Sequence, residues 1–196
     1  MWRQRHANSW VPNPSIIEID LLLTIVSSLC SRDEAATRWI LDHGANPNPN
    51  VPARVSVLNM PAAHGSINTV KLLLERGADP TKSTALGHAI KRDGDWEEMV
   101  KMLLDHSCDI NAFCPDGFRG LRGCYSGSVL HAAAAQNLYD RIPFLIDKGA
   151  DLYKRSETGF TPLELALKYK CEESAAILLE AEKCFCDSLA SPHSST

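Results

Sequence analysis

Hydrophobic positions in this chain come in short paired runs, each about ten residues long and separated by polar turns. The pairs read as 16–29 with 33–43, 56–65 with 67–76, 84–90 with 97–106, 128–133 with 139–148, and 161–166 with 172–180. Within the longer runs the apolar residues recur at helical spacing, as in Val70, Leu72, Leu73 and Leu74, so the pattern predicts pairs of short helices. Thr161-Pro162 opens the last pair with the chemistry of a helix start. A threonine oxygen can cap the first free N–H groups, and a proline at the first helical position loses a donor that has no partner there.

The pairs are also in phase. Gly44 to Gly77 is 33 residues, and Ser128 to Thr161 is again 33. Gly44-Ala45-Asn46, Gly77-Ala78-Asp79 and Gly149-Ala150-Asp151 each follow a second run, where glycine can enter the left-handed region and turn the chain out of the helix. Pro61 falls inside a first run and predicts a kinked or shortened helix, because an interior proline costs about 3 kcal/mol.

Two joints break the phase. Twelve residues separate Gly44 from Ser56, but only seven separate Gly77 from Thr84, so that connection is clipped. Unit three also carries two additional residues in the turn 91–95 between its helices. Ser107 to Ser128 spans 21 residues, nine more than twelve, and the additional segment is rich in glycine, arginine and aromatic residues. It reads as an inserted finger, 112–127, projecting from the stack.

With these residues in view, the chain resembles the ankyrin-repeat family. The consensus T-P-L-H-x-A-A followed by V-x-x-L-L-x-x-G-A-D is met well by 70–79 and 128–151, partly by 159–179 and loosely by 16–46. The resemblance implies an all-α solenoid of helix-turn-helix units joined by β-hairpin or irregular finger loops. It also implies a concave face used for partners, without naming one. The organisation expected is an N-terminal arm 1–15, a repeat domain 16–182 and a flexible tail 183–196. The units are 16–48, 54–81, 82–112, 126–153 and 159–182.

Composition narrows the function. Twenty Lys plus Arg against 24 Asp plus Glu give a formal charge of −4, which does not favour a phosphate backbone, so no nucleic acid is expected. The apolar run 16–29 is interrupted by Glu18 and Asp20 and is too short to span a bilayer, so no membrane partner is expected. Seven unevenly spaced cysteines suit reduced thiols in the cytosol or nucleus.

Candidate chemistry is sparse. His131 occupies the family's own histidine position, where the resemblance implies a structural hydrogen bond. His64 and His88 read as turn or solvated histidines. A catalytic groove using these histidines with Asp93 or Asp140 is the alternative reading, and a small-molecule ligand stays open with it. Cys184-x-Cys186 lacks a second pair at zinc spacing, and the finger glycines 117, 120, 123 and 127 form neither a dinucleotide fingerprint nor a P-loop. No metal and no cofactor are expected.

The reading that remains is a non-enzymatic module binding another protein through the concave face and finger loops. Its expected contact residues are Phe113, Phe118, Arg119, Leu121, Arg122 and Tyr125 in the long finger, with Lys82 and Trp96 beside the clipped joint. Aromatic residues and arginine are the types that dominate interface energetics.

Overall fold

The computed structural model describes residues 34–48, 56–113 and 127–190, the last four of these in backbone only. The expected arm 1–15, the run 16–29 and finger residues Phe118, Arg119, Leu121, Arg122 and Tyr125 lie outside the described residues. Those described form α1 (Glu34–Asp42), α2 (Asn59–His64), α3 (Ile67–Glu75), α4 (Ala85–Ala89), α5 (Trp96–Asp105), α6 (Val129–Ala135), α7 (Ile142–Asp147), α8 (Pro162–Lys168) and α9 (Glu172–Ala190). Short 3₁₀ turns cover Pro80–Lys82 and Tyr139–Arg141.

The helices stack in two rows. The first helices of successive units, α2, α4, α6 and α8, pack one on the next, and each is backed by its own partner helix. Small residues allow this closeness: Ala62, Ala85, Ala89, Ala133, Ala134 and Ala166 are fully buried. Leu58, Leu73, Leu103, Leu130, Ile142, Leu145 and Leu178 fill the space between the rows, and burial of each contributes about 1.5–3 kcal/mol. A single unit could not cover this surface, so stability accrues from neighbours.

Local chemistry sets the helix ends. Gly44, Gly77 and Gly149 have φ of 90°, 86° and 87°, as their phase requires, and in unit three Ser107 adopts the same region at 70° without a glycine's freedom. Thr161 accepts from the Glu164 N–H at 3.2 Å while the Glu164 carboxylate accepts from the Thr161 N–H at 2.8 Å, a reciprocal cap. Pro61 sits in the first turn of α2, where its missing N–H has no helical partner, and the helix ends after six residues. Pro143 similarly divides the run 139–148 into a 3₁₀ turn and the short α7.

One expectation is corrected. Residues 183–190, read from sequence as part of a flexible tail, continue α9 to 19 residues. The earlier units turn out of their second helix at Gly44, Gly77, Ser107 or Gly149; the corresponding residue here is Glu182, which has no such preference and stays helical.

Candidate interaction surface

The finger side of the stack is built from one repeated local device. Asn46, Asp79, Asp109 and Asp151 each accept at a side-chain oxygen from the N–H two residues on, at 2.9, 3.0, 2.8 and 2.8 Å. These Asx turns start every finger at the same place.

Two of the turns carry an asparagine that reaches the next unit. Asn48 donates to the Gly77 carbonyl at 2.6 Å and accepts from the Asp79 N–H at 2.7 Å. Asn111 repeats this with the Gly149 carbonyl at 2.9 Å and the Asp151 N–H at 2.8 Å. The Asn48 partners stand 29 and 31 residues ahead and the Asn111 partners 38 and 40 ahead, nine more in each case. Those nine residues are the insertion found in the sequence. The points that flank it keep the register of an ordinary joint. Lys154, on the same following turn, also donates to the Asn111 carbonyl, a third bond at the root of the inserted segment.

The clipped joint is fastened elsewhere. Thr81 takes the position of Asn48 and Asn111 but turns back, its hydroxyl donating to Asp79 at 2.6 Å. Lys82 pairs with the same carboxylate at 3.1 Å and remains exposed, and together these groups hold the Asp79 carboxyl below its usual range, the Thr81 hydroxyl most of all. Across this joint the Thr84 N–H donates to Asn59 Oδ1 at 3.0 Å. The buried Arg92 guanidinium grips Asp95 at 2.8 and 2.7 Å and donates to the Pro61 and Ala62 carbonyls at 3.3 and 3.2 Å. Arg92 and Asp95 thereby staple the two-residue expansion of the turn 91–95.

The sequence-derived contact residues are therefore dispersed. Phe113 stands at the root of the inserted segment and is 37% exposed. Lys82 lies on the clipped finger. Trp96 opens α5 and is committed to packing between units three and four: its ring meets Phe144 edge-on at 5.2 Å, and the Arg141 guanidinium lies over it at 5.3 Å. Arg141 itself donates to the Ile90 carbonyl at the end of α4, as Arg92 does to the end of α2. Phe118, Arg119, Leu121, Arg122 and Tyr125 lie outside the described residues.

The histidines differ from one another. The Ser128 N–H donates to His131 Nδ1 at 3.1 Å, which assigns the ring proton to Nε2, and that atom donates to the Phe160 carbonyl at 3.0 Å. Nδ1 thus caps α6 within unit four while Nε2 joins that unit to unit five, and burial lowers the pKa. A Cβ on Gly127 would fall 2.8 Å from His131 Cγ, so the residue before the cap must be glycine. His88, half-buried on α4, has its pKa lowered to about 4 by burial, and then by Lys91 and His64. It is neutral at pH 7. Sequence reasoning missed Arg92, Arg141 and the paired asparagines; the recurring Asn/Asp-x-Asn at 46–48 and 109–111 was the available signal.

Among the described residues no helix is long and apolar enough to cross a membrane. The family described as ankyrin repeats (3 copies) matches residues 23–114. The chain is similar to the mouse B-cell lymphoma 3 protein homolog, 29% identical over 69% of this chain and 30% of that protein. It is also similar to human ankyrin repeat and SOCS box protein 2, 35% identical over 38% of this chain and 12% of the relative. A third relative is mouse protein phosphatase 1 regulatory subunit 27, 28% identical over 38% of this chain and 43% of that protein. The chain spans less than half the length of each of these relatives. Helix pairs of the same kind continue past residue 114, through α6–α7 and α8–α9. The phased helix pairs, the left-handed turns that close them and these similarities together make the chain an ankyrin-repeat protein.

Proposed function

We propose that this chain is a non-enzymatic protein-binding module, and that the segment inserted between units three and four is its principal contact for a partner. The observation that carries the reading is the Asn111 clamp. Nine additional residues are accommodated without altering the bonds that join unit three to unit four. An insertion held at its base adds exposed surface at little cost to the stack, and loops held by a rigid scaffold commonly carry binding function. Its composition suits that role. Phe113, Phe118, Leu121 and Tyr125 supply apolar and aromatic area, and Arg119 and Arg122 supply planar donors for carboxylates.

Lys82 on the neighbouring finger extends the same surface, and the first-helix row forms the concave side. Trp96, packed against Phe144 and Arg141 between units three and four, is read as a support of the stack. The relatives' printed names, which include a phosphatase regulatory subunit, suit an interaction or regulatory role. Cys108, Cys171, Cys184 and Cys186 form no disulfide with one another, in keeping with a cytosolic or nuclear location.

The test is affinity enrichment from native cells with quantitative mass spectrometry, comparing the wild type with a variant carrying alanine at Phe118, Arg119, Arg122 and Tyr125. The reading expects specific partners to fall at least about tenfold, the effect of losing one or two hot-spot residues. Equal enrichment by both proteins would remove the finger from the proposal.

A further inference from the structure

Ankyrin units bury the same positions repeatedly, so the burial of unit five can be compared with that of the units before it. Ala62, Ile90 and Ala134 occupy one position of the first helix in units two, three and four and are fully buried by the unit that follows. The equivalent residue in unit five is Leu167, which is 58% exposed. At the matching position of the second helix, Leu74 is 7% exposed, Leu104 and Ile146 are half-buried, and Leu179 is 42% exposed. The face of unit five that a following unit would cover thus carries exposed Leu167 and Leu179.

A sixth unit in the same register does not fill it, because the chain would have to leave α9 at Glu182, and α9 continues to Ala190. The extension instead carries Phe185 to the ring of Tyr153, 6.0 Å between centroids, and leaves a cavity of about 500 Å³ beside it. Leu179, Glu182, Lys183 and Cys186 line that cavity together with Tyr153. Spaced i, i+3, i+4 and i+7, these four residues form one stripe along α9, the pattern by which a helix meets another helix.

The stripe is self-complementary. Suppose two copies of α9 lie antiparallel about a two-fold axis between residues 182 and 183. Glu182 of each then faces Lys183 of the other. Leu179 lies three residues before Glu182 and Cys186 three after Lys183, so the same axis places Leu179 against Cys186 of the second copy. Two reciprocal ion pairs at the centre, flanked by apolar layers, are the composition expected of an isologous helix pair. Neither Glu182 nor Lys183 makes an ion pair with another described residue.

We infer that the α9 end of the stack is a homodimer interface, occupied by α9 of a second copy in antiparallel orientation. The electrostatics agree with this geometry. Burial, and then the Glu164 carboxylate, raise the pKa of Glu182, so a cation placed beside it relieves both burdens. The inserted finger belongs to another joint of the stack, between units three and four, so dimerisation and partner capture are separable.

Sedimentation velocity tests this on the purified chain. The wild type should double its mass between about 1 and 100 µM, the range of a small, weak interface. Glu182→Lys and Lys183→Glu should each be monomeric at the upper concentration, because each sets like charges face to face. An equimolar mixture of the two should form a heterodimer, and the double swap E182K/K183E should restore the homodimer. Circular dichroism and a thermal midpoint within a few degrees of wild type should accompany every variant, since both side chains are partly or fully solvent-facing. A wild type that stays monomeric at 100 µM would overturn the proposal. So would a dimer that survives either single reversal, or one that the double swap does not restore.

Discussion

The two irregular joints solve opposite problems with different fastenings. The short joint, between units two and three, is held mainly at the helix ends. Asn59 receives the Thr84 N–H, and Arg92 caps the carbonyls of Pro61 and Ala62. The long joint, between units three and four, has Gly87 where its neighbours have Asn59 and His131, so that link has no side chain to make it. It is held at the fingertip instead, by Asn111 on Gly149 and Asp151, and at the helix end by Arg141 on Ile90. A clipped connection can close locally and rely on the helices. An expanded one needs its base pinned ahead of the insertion. The contrast explains how one stack tolerates both a deletion of five and an insertion of nine residues relative to the usual joint.

The largest effect expected at the short joint is on its pH dependence. His88 has a folded pKa of about 4 against 6.5 for an exposed histidine. The unfolded chain therefore binds the proton first as pH falls, so stability is retained above about 6.5 and lost progressively down to about 4. The loss attributable to His88 approaches about 3 kcal/mol. Urea unfolding at pH 7.0 and 4.0, with His88→Gln as the control, measures it. Equal pH slopes for the two proteins would detach the effect from this residue.

Arg92→Ala should come next, at about 2–3 kcal/mol, because it strands two carbonyls and the Asp95 carboxylate together. The same assay should place Asn111→Ala at about 1–2 kcal/mol, since its two bonds are exposed and water replaces them in part. If the long joint proved the more sensitive of the two, the division between helix-end and fingertip fastening would be reversed. The smallest effect is a gain. Thr81→Asn supplies to the short joint the clamp used on either side of it, with the Ser107 carbonyl and Asp109 N–H as partners, and should stabilise by about 0.5–1 kcal/mol. A loss of stability instead would show that clipping the joint moves those partners out of reach.

Much of this architecture was written in the chain's periodicity. Glycines 33 residues apart marked where second helices end, and Thr161-Pro162 marked a capped helix start, to which the structure adds the returning Glu164 carboxylate. The full extent of α9 was not legible. A helix end is readable when a residue forces it, and in unit five nothing does so at Glu182, while the serine-rich sequence beyond resembles a frayed tail. The packing of Trp96 was not legible for a related reason: an aromatic beside an irregular joint suits a partner or a neighbouring unit equally, and Phe144 and Arg141 come beside it only through the fold. Arg92 and Arg141 were invisible because their partners are backbone carbonyls about 30 and 51 residues away.

The central claim is that the inserted finger binds and the stack beneath it only supports. Replacing 114–126 with a glycine-serine linker of four residues restores the usual joint length while keeping Asn111, Gly127 and Ser128. Enrichment from native cells, read alongside thermal unfolding of the same protein, tests the claim directly. The account predicts an unfolding midpoint within a few degrees of wild type and loss of the partners that the wild type retains. Unchanged partner capture by the shortened protein, with its fold intact, would contradict it.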